Sequence, residues 1–219
     1  MTATNESNYA NLRLEMVELQ LRQRDIVDDR VLEVMSRVPR HEFVPPHLRD
    51  LAYGDFPLPL ADGQTISQPY IVALMSQLAR ARPDARVLEI GVGSGYQTAV
   101  LAELCGEVFG LEIIPHLAQA AEERLRNLGY RNVMIRAGDG SLGWPEHAPY
   151  DVILVAASPP SIPQPLLEQL ALGGRLVLPV GDVQQYLTVI HRTSSDDWER
   201  FVVTPVMFVP MVGEVRQPS

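Results

Sequence analysis

From residue 86 onward, short apolar runs alternate with helical repeats. Residues 87–90 read as a strand, 96–105 as a helix, 108–111 as a strand, and 115–128 as a helix with Pro115 well placed at its start. Strands follow over 132–136 and 151–156. A helix over 163–170 is then expected, closed by Gly173-Gly174, followed by strands over 175–180, 186–192 and 201–208. Apolar strands separated by helices predict an α/β fold: a doubly wound, mostly parallel sheet with a crevice at the strand ends. The last two strands lie close together and are expected to form a hairpin at one edge.

Ahead of residue 86 the pattern is helical but weaker. Residues 1–8 read as a frayed start. Leu12, Met16, Leu19 and Val27 recur near helical spacing around residues 11–24. Val31, Val34, Met35 and Val38 mark a second helix, with Asp28 or Asp29 as N-cap and Pro39 as its stop. Residues 43–59 are proline-rich and aperiodic and should wrap over something. Ser67-Gln68-Pro69 reads as a helix start, with Ser67 as candidate N-cap and Ile71, Leu74, Met75 and Leu78 on one face. The expected organisation is a helical cap region, 1–80, joined to a core, 81–219, in one compact domain.

Charge and composition narrow the function classes. The 18 basic residues are all arginine, and 27 acidic residues bring the net charge to -9 with a pI of about 5.0. An acidic surface repels phosphate backbones, so nucleic acid is not an expected partner. No run approaches the ~18 consecutive apolar residues of a membrane helix, and the first residues lack an apolar signal region, so a cytoplasmic protein is expected. Cys105, the one cysteine, sits in an apolar run with Leu101 and Leu104 and reads as a small core residue. The five histidines make no ligand pair, so no metal is expected. The chain is expected to be a monomer.

The central motif is Glu89-Ile90-Gly91-Val92-Gly93-Ser94-Gly95-Tyr96, between a strand and a helix. Three glycines at alternate positions let the backbone turn sharply and lie bare against a ligand. The spacing is neither that of a dinucleotide fingerprint nor that of a phosphate loop, which needs a lysine. Glu89 precedes the loop, where a carboxylate can organise it or face a cation. Glu112 ends the next strand, where a carboxylate can accept from two ribose hydroxyls. Asp139, before Gly140, follows the third strand, where it can accept from an adenine amino group. In this order on an α/β pattern, these pieces resemble the Rossmann-like S-adenosylmethionine-dependent methyltransferases. That resemblance implies a seven-stranded sheet with one antiparallel edge strand, which the C-terminal hairpin could supply, and makes residues 81–219 the cofactor-binding core.

Asp62-Gly63-Gln64-Thr65-Ile66-Ser67-Gln68-Pro69-Tyr70 narrows it further. It resembles the signature of the protein-L-isoaspartate O-methyltransferases, and so do Val38-Pro39-Arg40-His41-Glu42-Phe43-Val44-Pro45, Gly138-Asp139-Gly140, Pro159-Pro160-Ser161-Ile162-Pro163 and Phe208-Val209-Pro210, all in family order. Three positions depart from the usual pattern: Ile113-Ile114 after Glu112, Ser158 before Pro159, and Met207 before Phe208.

The resemblance implies methyl transfer from S-adenosylmethionine, leaving S-adenosylhomocysteine, to the carboxylate of isoaspartyl residues in damaged peptides and proteins. The ester then closes to a succinimide, which hydrolyses partly to aspartate. Gln64, Thr65, Glu89, Gly91, Gly93, Gly95, Glu112, Asp139 and Gly140 are the expected cofactor residues, and Ser67 the expected catalytic one. The acceptor carboxylate is ionised near neutral pH, so no general base is needed. Two rival readings are a carboxyl methyltransferase of a small molecule or a dedicated peptide partner, and a non-catalytic binding protein.

Overall fold

The structure, a computed structural model, describes residues 3–216. In chain order its elements are α1 (Ala3–Glu15), continued by a π-helical stretch (Met16–Arg22), α2 (Asp29–Arg37), the short strands β1 (Leu58–Pro59) and β2 (Thr65–Ile66), and α3 (Pro69–Ala79). Then come β3 (Arg86–Ile90), α4 (Tyr96–Leu104), β4 (Glu107–Glu112), α5 (Pro115–Asn127), β5 (Val133–Ala137) and β6 (Tyr150–Val155). The chain closes with α6 (Gln164–Glu168), β7 (Leu170–Val180), β8 (Gln185–Arg192) and β9 (Trp198–Val206).

Strands β3 to β9 make one seven-stranded sheet in the order β5-β4-β3-β6-β7-β8-β9. Those from β5 to β7 pair in parallel. β8 runs antiparallel to both β7 and the edge strand β9, which supplies the expected hairpin. Strand order reverses at β3: the chain crosses to β4 on one side and returns from β5 to β6 on the other. In such sheets that reversal opens a crevice at the carboxyl ends of the strands.

The central strands are buried on both faces, which is why they read as mostly apolar runs. Side chains alternate between two cores. Val87, Val152, Leu154 and Val177 face the one built with α2, α3 and α4. Leu88, Ile90, Ile153, Val155 and Leu176 face the other, with Trp144, Leu166 and Met211. Each buried aliphatic side chain contributes about 1.5–3 kcal/mol, so period-two burial holds the register.

Several local readings need correction. Helix begins at Ala3, well before residue 11. Its start has no apolar stripe because one aromatic anchors it: Tyr9 is buried, stacks on His41 with ring centroids 4.1 Å apart, and donates to Asp50 Oδ1 at 3.1 Å. Residues 1, 2 and 217–219, part of the frayed start and of the core as read, lie outside the described residues. Asp28 is the cap of α2, accepting from Arg30 N and Val31 N. Ser67 caps nothing. Gln68 is the N-cap residue of α3 and Pro69 opens the helix; proline holds the residue before it in extended backbone, so the helix starts no earlier. β7 begins at Leu170 and absorbs Gly173-Gly174, which do not close a helix.

Candidate functional site

A crevice open to solvent lies where β3, β4 and β6 end. Ile90 and Gly91 reach it from β3, Leu111 and Glu112 from β4, and Ala156 and Ala157 from just beyond β6. The loop carrying Gln64 to Ser67 forms one wall, and residues 209–212 form another.

The glycine loop is tied at several points. Gly91 and Gly93 adopt φ +84° and +53°, conformations that favour glycine. A Cβ on Gly93 would find no protein atom nearer than 3.9 Å and would enter the crevice instead. Gly91 N donates to Leu111 O at 2.8 Å, and Arg124 Nη1 to Ser94 O at 2.8 Å. Glu112 is 5% exposed. Its Oε2 accepts from Gly93 N at 2.8 Å and its Oε1 from Ile114 N at 3.0 Å. Each oxygen keeps a second lone pair for a ligand hydroxyl. Gly140 passes so close to Ile90 that a Cβ there would drive into Ile90 Cγ2.

The expected site residues divide. Gln64, Thr65, Ser67, Gly91, Gly93, Glu112 and Gly140 line the crevice. Gly95, Glu89 and Asp139 are not among its lining residues. Gly95 is the N-cap of α4 and faces Leu125 and Ala121 of α5. Asp139 Oδ1 accepts from Ser141 N and Ser141 Oγ, and its Oδ2 accepts from Glu214 N at 2.7 Å. Burial alone would raise the Asp139 carboxyl, but these bonds outweigh it and hold it below the usual range. In this structure Asp139 therefore clamps the C-terminal segment that walls the crevice. That segment is also held at Ser158, whose N–H donates to Val209 O and whose carbonyl accepts from Met211 N, each at 2.8 Å. The Ser158 hydroxyl donates to Gly181 O at 2.7 Å, which gives this departure a structural task. Met207 points to solvent and Ile113 lines the crevice. Sequence reading gave residues 209–212 no site role, although Phe208-Val209-Pro210 was a usable signal.

Glu89 shares the face of β3 with Val87 and is fully buried beneath the loop. Among the described residues, neither carboxylate oxygen has a hydrogen-bond partner. Burial pushes its carboxyl up to about 8; the Thr98 hydroxyl nearby opposes the rise without an acceptable bond, and the charge of Glu112 adds to it. The folded chain therefore holds a proton that the unfolded chain releases near 4.5. Stability is fully present below that value and is lost as pH rises toward about 8, by up to about 1.4 kcal/mol per pH unit. Glu89→Gln is expected to flatten that slope in urea titrations between pH 5 and 8. Parallel curves for the two proteins would contradict it.

Ser67 is half-buried and lines the crevice, and among the described residues its hydroxyl makes no hydrogen bond. Among the described residues, no group of three or more His, Cys, Asp or Glu side chains converges as a metal site, and no helix is long and apolar enough to cross a membrane.

Comparison with known proteins supplies the family. The family model described as Protein-L-isoaspartate(D-aspartate) O-methyltransferase (PCMT) matches residues 12–216. A protein-L-isoaspartate O-methyltransferase of a Synechococcus species is 55% identical over 212 residues, 93% of this chain and 86% of that one. One of Gloeobacter violaceus is 54% identical over 204 residues, 92% and 99% of the two chains. A solved protein-L-isoaspartate O-methyltransferase superposes at TM-score 0.82 and 26% identity, covering 92% of this chain and 67% of that one. A Plasmodium falciparum crystal structure, described as a PCMT in complex with S-adenosyl-L-homocysteine, superposes at 0.79 and 26% identity, covering 91% and 98%.

Proposed function

The chain belongs to the protein-L-isoaspartate(D-aspartate) O-methyltransferase family, and from that premise we propose how its own residues divide the work. It is an S-adenosylmethionine-dependent enzyme acting on isoaspartyl residues of peptides and proteins. The residues present fit that cofactor: a bare glycine turn, a carboxylate with spare acceptor sites, and apolar side chains lining one open crevice. When bound, S-adenosylmethionine supplies a methyl group on a sulfonium that carries its own leaving group.

The division of labour follows from position. Gly91 and Gly93 present backbone to the cofactor, and Glu112 accepts from its ribose hydroxyls while holding the turn. Ile90, Leu111 and Gly140 offer a flat apolar surface to the base. Gln64 and Thr65 flank the mouth. Glu89 shapes the loop from below and Gly95 starts α4, both outside direct contact; Asp139 acts through residues 209–212. Ser67 donates to one oxygen of the acceptor carboxylate and leaves the other facing the methyl. The carboxylate is the nucleophile: its oxygen–methyl bond forms as the sulfur–methyl bond breaks. Apolar Ile66, Val72 and Met75 exclude water from it, and positioning with desolvation supplies the rate.

The observation that carries this reading is the uncommitted hydroxyl of Ser67, a half-buried residue lining the crevice that the glycine loop and Glu112 also line. We read residues 1–80 as a cap on a core of 81–219, in a monomeric, cytoplasmic protein without nucleic-acid or membrane partners; the net charge of -9 supports this reading. Repair is the expected outcome. A synthetic isoaspartyl peptide incubated with enzyme and S-adenosylmethionine should accumulate its aspartyl form, with methanol released at each cycle. An ester that forms only on small carboxylic acids would favour the small-molecule reading instead.

A further inference from the structure

The loop over the crevice is fastened at its base and nearly free at its tip. Leu58 and Ile66, which pair across β1 and β2, are buried. Ala61, Asp62, Gly63 and Thr65 are exposed. Asp62 holds a left-handed backbone, φ 58° and ψ 31°, which is uncommon outside glycine. From that position its Oδ2 accepts from His116 Nε2–H at 2.7 Å. His116 lies in the first turn of α5, four residues beyond Glu112. Among the described residues this is the one hydrogen bond between residues 61–67 and 112–116. Both segments line the crevice: Gln64 to Ser67 from the loop, Glu112 and Ile113 from the end of β4.

We propose that Asp62 and His116 are positioning residues, a latch that joins the acceptor-side loop to the ribose-side wall and closes the crevice over bound cofactor. The inference rests on the crevice being the cofactor site. The pair touches no reacting atom. It keeps Gln64, Thr65 and Ser67 over the ligand, and it must open for product to leave. Both side chains are substantially exposed, at 43% and 64%, so the bond is modest and can open readily.

The test is the release rate of S-adenosylhomocysteine, measured by stopped flow on the full chain. His116→Ala and Asp62→Gly should each release it about two- to fivefold faster, the size expected of one exposed hydrogen bond. Turnover at saturating cofactor should change less than cofactor KM. The double variant should be no faster than the faster single, because both remove one bond. His116→Gln, which retains a donor, should recover part of the effect. Asp62→Gly also separates latch from backbone: glycine relieves the left-handed conformation, so a purely conformational role predicts higher stability and unchanged release. Unchanged release in His116→Ala, or additive effects in the double variant, would overturn the latch. Failure of the wild-type chain to bind S-adenosylhomocysteine would instead overturn the cofactor assignment, and the latch with it.

Discussion

Glu112→Ala is expected to weaken S-adenosylmethionine binding by on the order of 2–4 kcal/mol, roughly thirtyfold to a thousandfold. The loss has two parts. The ribose hydroxyls lose their acceptor, and the N–H groups of Gly93 and Ile114 lose theirs at a site only 5% exposed. An N–H left without a partner there costs about 1–3 kcal/mol, and the orphaned Gly93 N–H loosens the turn that must lie against the cofactor. Glu112→Gln keeps an oxygen for one N–H but turns an amide toward the other, so it should fall between. Calorimetry decides: unchanged affinity in the Ala variant would remove Glu112 from the site.

Ser67→Ala is expected to lower turnover about tenfold to a hundredfold, the value of one hydrogen bond to a charged group, with cofactor affinity nearly constant. In the proposed role the hydroxyl sets the geometry of the reacting carboxylate, so the loss is expected in kcat. Removing a helix cap costs about 0.5–2 kcal/mol of stability. Here Gln68 is the N-cap residue and Ser67 caps nothing, so the Ala variant should melt with the wild type. Ser67→Gly should behave the same way, and Ser67→Thr should retain part of the activity. A stable, fully active Gly variant would end the role of Ser67 and leave positioning and desolvation alone.

The core was legible because its strands are buried on both faces. Residues 87–90 and 151–156 read as mostly apolar runs, broken only by Glu89 and Asp151, and α/β alternation gave the doubly wound class without placing the reversal at β3. The loop and Glu112 were legible because strand-to-helix turns and strand ends have fixed places in such a sheet. Contacts between distant segments were not. Nothing near Asp139 shows that the backbone of Glu214 will return to it, and its sequence neighbours suggested only a ligand acceptor. Gly173-Gly174 looked like a helix stop. They fall where β7 slips register against β6 between Tyr150 and Val152, a bulge that glycine permits. The start of α1 rests on Tyr9 packed on His41, an anchor that periodicity does not record.

The most direct measurement is methyl transfer from S-adenosylmethionine to a synthetic isoaspartyl peptide beside its aspartyl twin, same sequence and same charge. The two differ only in which carboxylate is presented. Methyl ester formed on the isoaspartyl peptide and not on its twin is the expected result. Equal labelling of both peptides, or of neither, would contradict the assignment of this crevice to isoaspartyl methylation.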